Sequence, residues 1–273
     1  MELYFPKMCI SLDELEKEDD VRGRYTILYG QNGMAFCDDR EDITSMLMTA
    51  LKGLLDKYDI DPKTIGRLEV ATDSLDLINN TESIRTSLMA LLAEDGDVEG
   101  ATTVSGAYGG IAALLNSVAW IEGSEWDGRF AVVVCGDISM HVQGSARATG
   151  GAGTVALLVG PDAPLALAPG RATHTDSSYR PAGVEDVPGQ RWYLNALDRC
   201  WGRLQARLAT RQVITKAVRE GEEGEDSGAG MAAAAAEWDH LLLAAPYHAL
   251  ARRAFHLLDL RARPADYPLS LVA

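Results

Sequence analysis

Paired cysteines, positive charge and long apolar runs are all missing from this sequence, and each absence narrows what it does. Its cysteines, Cys9, Cys37, Cys135 and Cys200, lie far apart with no CxxC pair. Neither a zinc site nor a disulfide framework is indicated, and no metal or other cofactor is expected. Cys135 falls inside an apolar run and reads as a small core residue. The 25 Lys and Arg are outnumbered by 40 Asp and Glu, for a formal net charge of −15. Phosphate backbones and anionic lipids both require a basic surface, so this balance argues against nucleic acid and against membrane docking. No apolar run approaches the roughly 18 residues of a membrane-spanning helix. The opening Met-Glu-Leu-Tyr-Phe-Pro lacks the basic and apolar stretches of a secretion signal, so the expected location is cytoplasmic.

What is present is an ordinary globular composition, 47% apolar and 24% charged over 273 residues, enough for one large core or two small ones. Helical and strand-like patterns alternate. Ile43, Leu47, Leu51 and Leu54 form one stripe within Glu41–Asp56, and Glu82–Ala93, Tyr108–Glu122, Trp192–Val218 and Pro246–Leu260 also read as helices. Arg67–Thr72, Phe130–Val134, Gly150–Gly160 and Leu241–Ala244 read as strands. This alternation predicts an α/β fold with buried strands. The pattern breaks at an acidic run (Glu220, Glu222, Glu223, Glu225, Asp226) followed by Ser227–Gly230 and Ala232–Ala236. An insertion over about 219–236 is expected there, a solvated loop leading into a helix-prone alanine run.

Glu99–Gly110 (EGATTVSGAYGG) resembles the nucleophile segment of the hydroxymethylglutaryl-CoA (HMG-CoA) synthases. Other motifs resemble that family in the same order: Tyr4–Lys7, Arg24–Ile27, Gly30–Gln31, Met34–Ile43, Ile65–Val70, Trp120–Glu122, Trp126–Arg129, Gly136–Ile138, Ala146–Arg147, Thr149–Gly151, Thr173–His174 and Ala196–Cys200. The resemblance implies a thiolase-like fold with a mixed sheet flanked by helices. It implies a single half of that fold, with 1–273 as one synthase-like N-terminal domain and the family's C-terminal half not represented.

The resemblance also assigns roles, and several positions depart from the family. The residue before Tyr-Gly-Gly, the family's acyl-carrying cysteine, is Ala107, which has no lone pair to attack a thioester. The family's glutamate base aligns with Asp73, one methylene shorter. The histidine aligns with Ala244, a CoA-binding lysine with Ala249 and an aspartate with Arg180, while Asp137 is kept. His141 stands where the family has an aromatic residue. The candidate catalytic groups are therefore Asp73, Tyr108, Asp137 and His141. Ser105, Ala107, Thr149, Gly150, Arg180, Ala244 and Tyr247 are expected to line the substrate pocket. Each polar candidate also has a plain structural reading: Tyr108 as a pocket floor and His141 as a hydrogen-bonded framework residue. The glycines Gly109, Gly110, Gly150 and Gly151 serve close packing without any ligand.

Three functions compete. The favoured expectation is a repurposed biosynthetic enzyme that has lost the parent condensation. It would bind a small hydrophobic polyketide or terpenoid intermediate, or an acyl thioester, and promote a cyclisation, isomerisation or lyase step. Small residues at the cysteine, histidine and lysine positions make the pocket larger and more apolar, as such a ligand requires. The second is a non-catalytic partner of another protein. The third is the parent HMG-CoA synthase, acting on acetyl-CoA and acetoacetyl-CoA. A homodimer is expected, because half of such a fold leaves an inner face to cover.

Overall fold

The computed structural model of the protein describes residues 1–74, 83–92, 97–168, 170–175, 188–220 and 239–262, with the backbone alone at 188–189 and 212–220. Its elements in chain order are β1 (Glu2–Tyr4), β2 (Met8–Ser11), α1 (Leu12–Glu18), β3 (Gly33–Phe36), α2 (Ile43–Lys57), β4 (Ile65–Ala71), α3 (Ile84–Met89), β5 (Thr102–Thr103), α4 (Gly109–Ile121), β6 (Phe130–Ser139), β7 (Gly151–Val159), α5 (Pro188–Glu220) and α6 (His248–Ala262). They form two compact units, one of residues 1–15, 32–141 and 150–166, the other of residues 16–31, 142–149 and 167–273.

The first unit is built on a mixed five-stranded sheet in the order β1-β7-β6-β4-β5. β4 runs parallel to β5 and β6, while β7 is antiparallel to β6 and β1. β6 is covered on both faces, which is why Phe130–Val134 reads as a continuous apolar run rather than an alternating one. Val132 and Val134 pack with Leu47, Leu51 and Leu54 of α2 in the main core. Val133 turns the other way, with Ala71 of β4 and Ala113 of α4. The entry to α2 is fixed by a capping box: Asp42 accepts the Ser45 N–H at 2.7 Å and Ser45 Oγ accepts the Asp42 N–H at 3.0 Å. Such a cap contributes about 1 kcal/mol.

β6 continues past the expected end through Gly136, Asp137 and Ile138 to Ser139, because β7 pairs with it as far as Ser139↔Gly151. Gly136 is required there, since a Cβ would lie 2.2 Å from Thr154 Cγ2. Gly100 is required for a different reason. Its φ is +127° and a Cβ would sit 1.9 Å from the Leu68 carbonyl oxygen, so only glycine lets this segment lie flush along β4 and enter β5.

In the second unit, the buried Glu16 carboxylate gathers the Arg24–Leu28 turn. It accepts N–H bonds from Gly23 (2.8 Å), Tyr25 (2.6 Å) and Thr26 (2.5 Å). The Tyr25 hydroxyl donates to Asp19, which also pairs with Arg147. α5 and α6 pack together, tied by Arg261 to Asp198 at 2.7 Å. Two expectations change here. Leu241–Ala244 is not a strand: it pairs with no described strand and Leu242 is exposed, so apolar composition found no ladder to join. α6 starts at His248, two residues after Pro246. The insertion expected over about 219–236 lies, from 221 onward, outside the described residues.

Candidate active site

The candidate groups of the first unit gather at the carboxyl ends of β4 and β6 and at the start of α4. Beyond β4 the chain turns through Thr72, Asp73 and Ser74, and this turn is held by Asp137 of β6. Asp137 Oδ1 accepts the Thr72 hydroxyl at 3.0 Å and the Asp73 N–H at 2.7 Å, and Ser74 Oγ lies 3.3 Å from it. Ser74 Oγ in turn accepts the Ile138 N–H at 2.7 Å. Asp137 thus acts on Asp73 through the backbone; it is a positioning residue in this geometry.

Asp73 Oδ1 accepts the Gly106 N–H at 3.0 Å. Gly106 is in the left-handed region at φ +52° and opens the 3-10 turn Gly106–Tyr108 that leads into α4. The carboxylate is therefore held against the turn that carries Ala107, and it is exposed. Ala107, Ser105 and Tyr108 are exposed as well. Tyr108, considered as a pocket floor, is 47% exposed in this unit. Ser105 and Tyr108, the residues that precede the 3-10 turn and α4, make no capping side-chain bond, so the Asp73 carboxylate supplies the bond to the turn's first N–H.

Cys135, in the same unit, offers no reactive thiol to this turn. Cys135 lies under the first turn of α4, 3.3 Å from where a Gly110 Cβ would be. Burial pushes its thiol up to about 11, and the neighbouring Asp137 charge adds to this, so it stays protonated and unreactive. His141, found from the sequence, has a partner that was not: Ser139 Oγ is 3.1 Å from His141 Nε2. Ser139 follows Asp137 by two residues on β6, a spacing that becomes visible only once the strand is known to run to Ser139.

The remaining candidates divide between the units. Gly150 leads into β7 in the first unit. Thr149, Ala244 and Tyr247 belong to the second. The Thr149 hydroxyl donates to the Ala146 carbonyl at 2.7 Å. Ala244 is exposed, and its carbonyl accepts the Tyr193 hydroxyl at 2.8 Å. Tyr247 is buried, its ring stacked on Tyr29 with centroids 4.5 Å apart. Arg180 lies outside the described residues. Among the described residues no group of three His, Cys, Asp or Glu comes together as a metal site, and no helix is long and apolar enough to cross a membrane.

Comparison with known proteins bears directly on this site. Residues 1–164 match the family described as hydroxymethylglutaryl-coenzyme A synthase N terminal. The chain is 44% identical over 240 residues to hydroxymethylglutaryl-CoA synthase erg13B of Aspergillus fumigatus, covering 83% of this chain and 51% of that protein. It is 41% identical over 268 residues to the hydroxymethylglutaryl-CoA synthase of Mycosarcoma maydis, covering 93% of this chain and 56% of that protein. The cytoplasmic human synthase is 46% identical over 214 residues, which is 74% of this chain and 41% of the human protein. The chain thus spans about half the length of the curated relatives it matches. Among solved structures, MvaS in complex with 3-hydroxy-3-methylglutaryl coenzyme A superposes with a TM-score of 0.77 at 26% identity, over 99% of this chain and 65% of that one. The HMG synthase of the curacin biosynthetic pathway, in complex with acetyl donor-ACP, gives 0.74 at 20% identity, over 98% of this chain and 62% of that one.

These findings overturn the favoured reading of a protein converted to cyclisation, isomerisation or lyase chemistry on a polyketide or terpenoid. Identity of 38% to 48% to proteins named as synthases spans most of the chain, and it favours the synthase alternative over lost and replaced chemistry. With a thiolase-like sheet and helices, and about half the length of its relatives, the chain belongs to the hydroxymethylglutaryl-CoA synthase family as a single, N-terminal half of that fold.

Proposed function

We propose that the protein is an acyl-thioester enzyme of the HMG-CoA synthase type, in the cytosol, joining an acetyl thioester to acetoacetyl-CoA with Asp73 as acid and base. Residues 1–273 act in this reading as one synthase-like domain carrying an insertion at about 219–236. The observation that carries it is the placement of Asp73. Its backbone is fixed by Asp137 at 2.7 Å and its carboxylate by the Gly106 N–H at 3.0 Å, beside the turn where the family holds its acyl group. A carboxylate fixed in this way removes a proton from the methyl carbon next to a thioester carbonyl. The resulting enolate adds to the ketone of acetoacetyl-CoA, forming the carbon–carbon bond, and Asp73 returns its proton to the alkoxide. Hydrolysis of one thioester then yields HMG-CoA and a free thiol. Ala107 carries no acyl group, so the donor methyl is deprotonated while the acetyl group is on its own carrier or after its transfer to another residue; the proton transfer is the same in both cases.

The test is to incubate the protein with acetyl-CoA and acetoacetyl-CoA in heavy water. Mass spectrometry then follows HMG-CoA formation and deuterium entry into the acetyl methyl group. Both are expected, with Asp73→Asn lowering both by at least about tenfold. Absence of product and of exchange overturns the reading.

We further infer a homodimer with α4 at its contact. α4 is apolar nearly all round, yet Ile111, together with Val104 and Tyr108 just before it, is about half exposed. Helices of this composition belong in an interior. Ala131–Val134 of β6 offer no surface to such a contact, because they are fully enclosed. Light scattering checks this; a mass near 29.4 kDa that does not change with concentration overturns it.

A further inference from the structure

Ser139 and His141 form a polar pair that the condensation step leaves unused. Their place on β6 is set by strand alternation. Val133 packs with Ala113 of α4, Cys135 joins the same cluster, and Asp137 reaches the Asp73 turn. Side chains two residues apart share a face, so Ser139 continues this row about 7 Å beyond Asp137. The alternation is unbroken, because β6 stays paired with β7 through Ser139↔Gly151. The residues opposite Asp137 and Ser139 on β7 are Gly153 and Gly151, which send no side chain across the row. Ser139 and His141 are both partly exposed, and Ser139 Oγ lies 3.1 Å from His141 Nε2. With the ring proton on Nδ1, the hydroxyl donates to Nε2, which is the arrangement that activates a serine.

We propose that Ser139 and His141 form a nucleophilic dyad that accepts the acyl group of an acyl thioester, taking over the role that Ala107 cannot perform. This rests on the acyl-thioester reading above. His141 Nε2 takes the hydroxyl proton as Ser139 Oγ bonds to the thioester carbonyl carbon. The carbon–sulfur bond then breaks, and the thiolate leaves with the proton that His141 had taken. The products are an acyl ester on Ser139 and a free thiol, with no oxidation or reduction. The alternatives on this side of the sheet are weaker. Ser74 Oγ is engaged with Ile138 and Asp137, and Cys135 is half-buried beneath α4, with burial holding its thiol protonated.

The full chain is incubated with acetyl-CoA and, separately, with p-nitrophenyl acetate, which needs no CoA site. Each reaction is quenched in acid, digested and mapped by mass spectrometry. Both donors are expected to acetylate Ser139. Ser139→Ala abolishes that label, and His141→Phe, which keeps a ring and removes Nε2, slows it by at least about tenfold. Circular dichroism and thermal unfolding confirm that both variants fold. Label elsewhere, or unchanged label in His141→Phe, overturns the dyad. If HMG-CoA forms with no ester at Ser139 from either donor, the dyad fails while the synthase reading stands. If p-nitrophenyl acetate alone labels Ser139, the thioester assignment fails.

Discussion

Asp137 is the residue whose removal most directly tests how the site is held. Its Oδ1 accepts the Thr72 hydroxyl at 3.0 Å and the Asp73 N–H at 2.7 Å, with Ser74 Oγ at 3.3 Å. A hydrogen bond to a charged group contributes about 1.5 to 3 kcal/mol net, and a neutral one about 0.5 to 1.5 kcal/mol. Asp137 is exposed, so water partly replaces what its carboxylate gives up, and the upper figures do not apply. Thr72 is different: only 3% of it is exposed, so its hydroxyl loses its acceptor without gaining water. Asp137→Ala should therefore cost about 2 kcal/mol, a thermal shift of roughly 2 to 4 °C for each kcal/mol. Asp137→Asn keeps an acceptor oxygen in the same place and should cost about half as much. Urea unfolding followed by tryptophan fluorescence, read at unchanged slope, gives the ordering. An Ala variant within about 0.5 kcal/mol of the parent would refute the claim that Asp137 holds the turn.

Two further substitutions test the surroundings. Ala107→Cys places an exposed thiol in the 3-10 turn just before α4, where the helix dipole favours the thiolate and the Asp73 carboxylate opposes it. It should react with iodoacetamide at neutral pH faster than Cys135, whose thiol burial pushes up to about 11; equal rates would show that the turn does not activate it. For Glu16, burial raises the carboxyl, but bonds from Thr26, Gly23 and Tyr25 outweigh it and leave the group below the usual glutamate range. A depressed acid stabilises the fold above its unfolded value, and that contribution is lost as pH falls through the folded value. Glu16→Gln should therefore be less stable at neutral pH and show a flatter acid limb below about pH 4.3. Parallel acid curves for parent and variant would count against this.

What the sequence made legible, and what it did not, follows from whether the cause was local. The apolar run Phe130–Val134 was readable because full burial on both faces writes itself into composition. The continuation of β6 through Gly136 and Asp137 was not, because those residues disfavour strands and are held extended only by β7. That omission concealed Ser139. Until β6 is known to reach it, nothing places its side chain in the row of Cys135 and Asp137. Asp73 and Asp137 were located by their motifs, but the division of labour between them appears only in the bonds that cross from β6 to the Asp73 turn. α4 shows the same boundary. Its sequence specifies an apolar helix without saying which side is buried. The structure buries Gly109, Ala113 and Ser117, four residues apart, while Ile111 stays exposed. Small side chains at that spacing let the helix axis lie close over β4 and β6, and the Ser117 hydroxyl is satisfied within the helix by the Ala113 carbonyl at 3.0 Å. Ile111 is thereby turned outward, so the face that packs closest on the sheet was chosen by fit rather than by hydrophobicity.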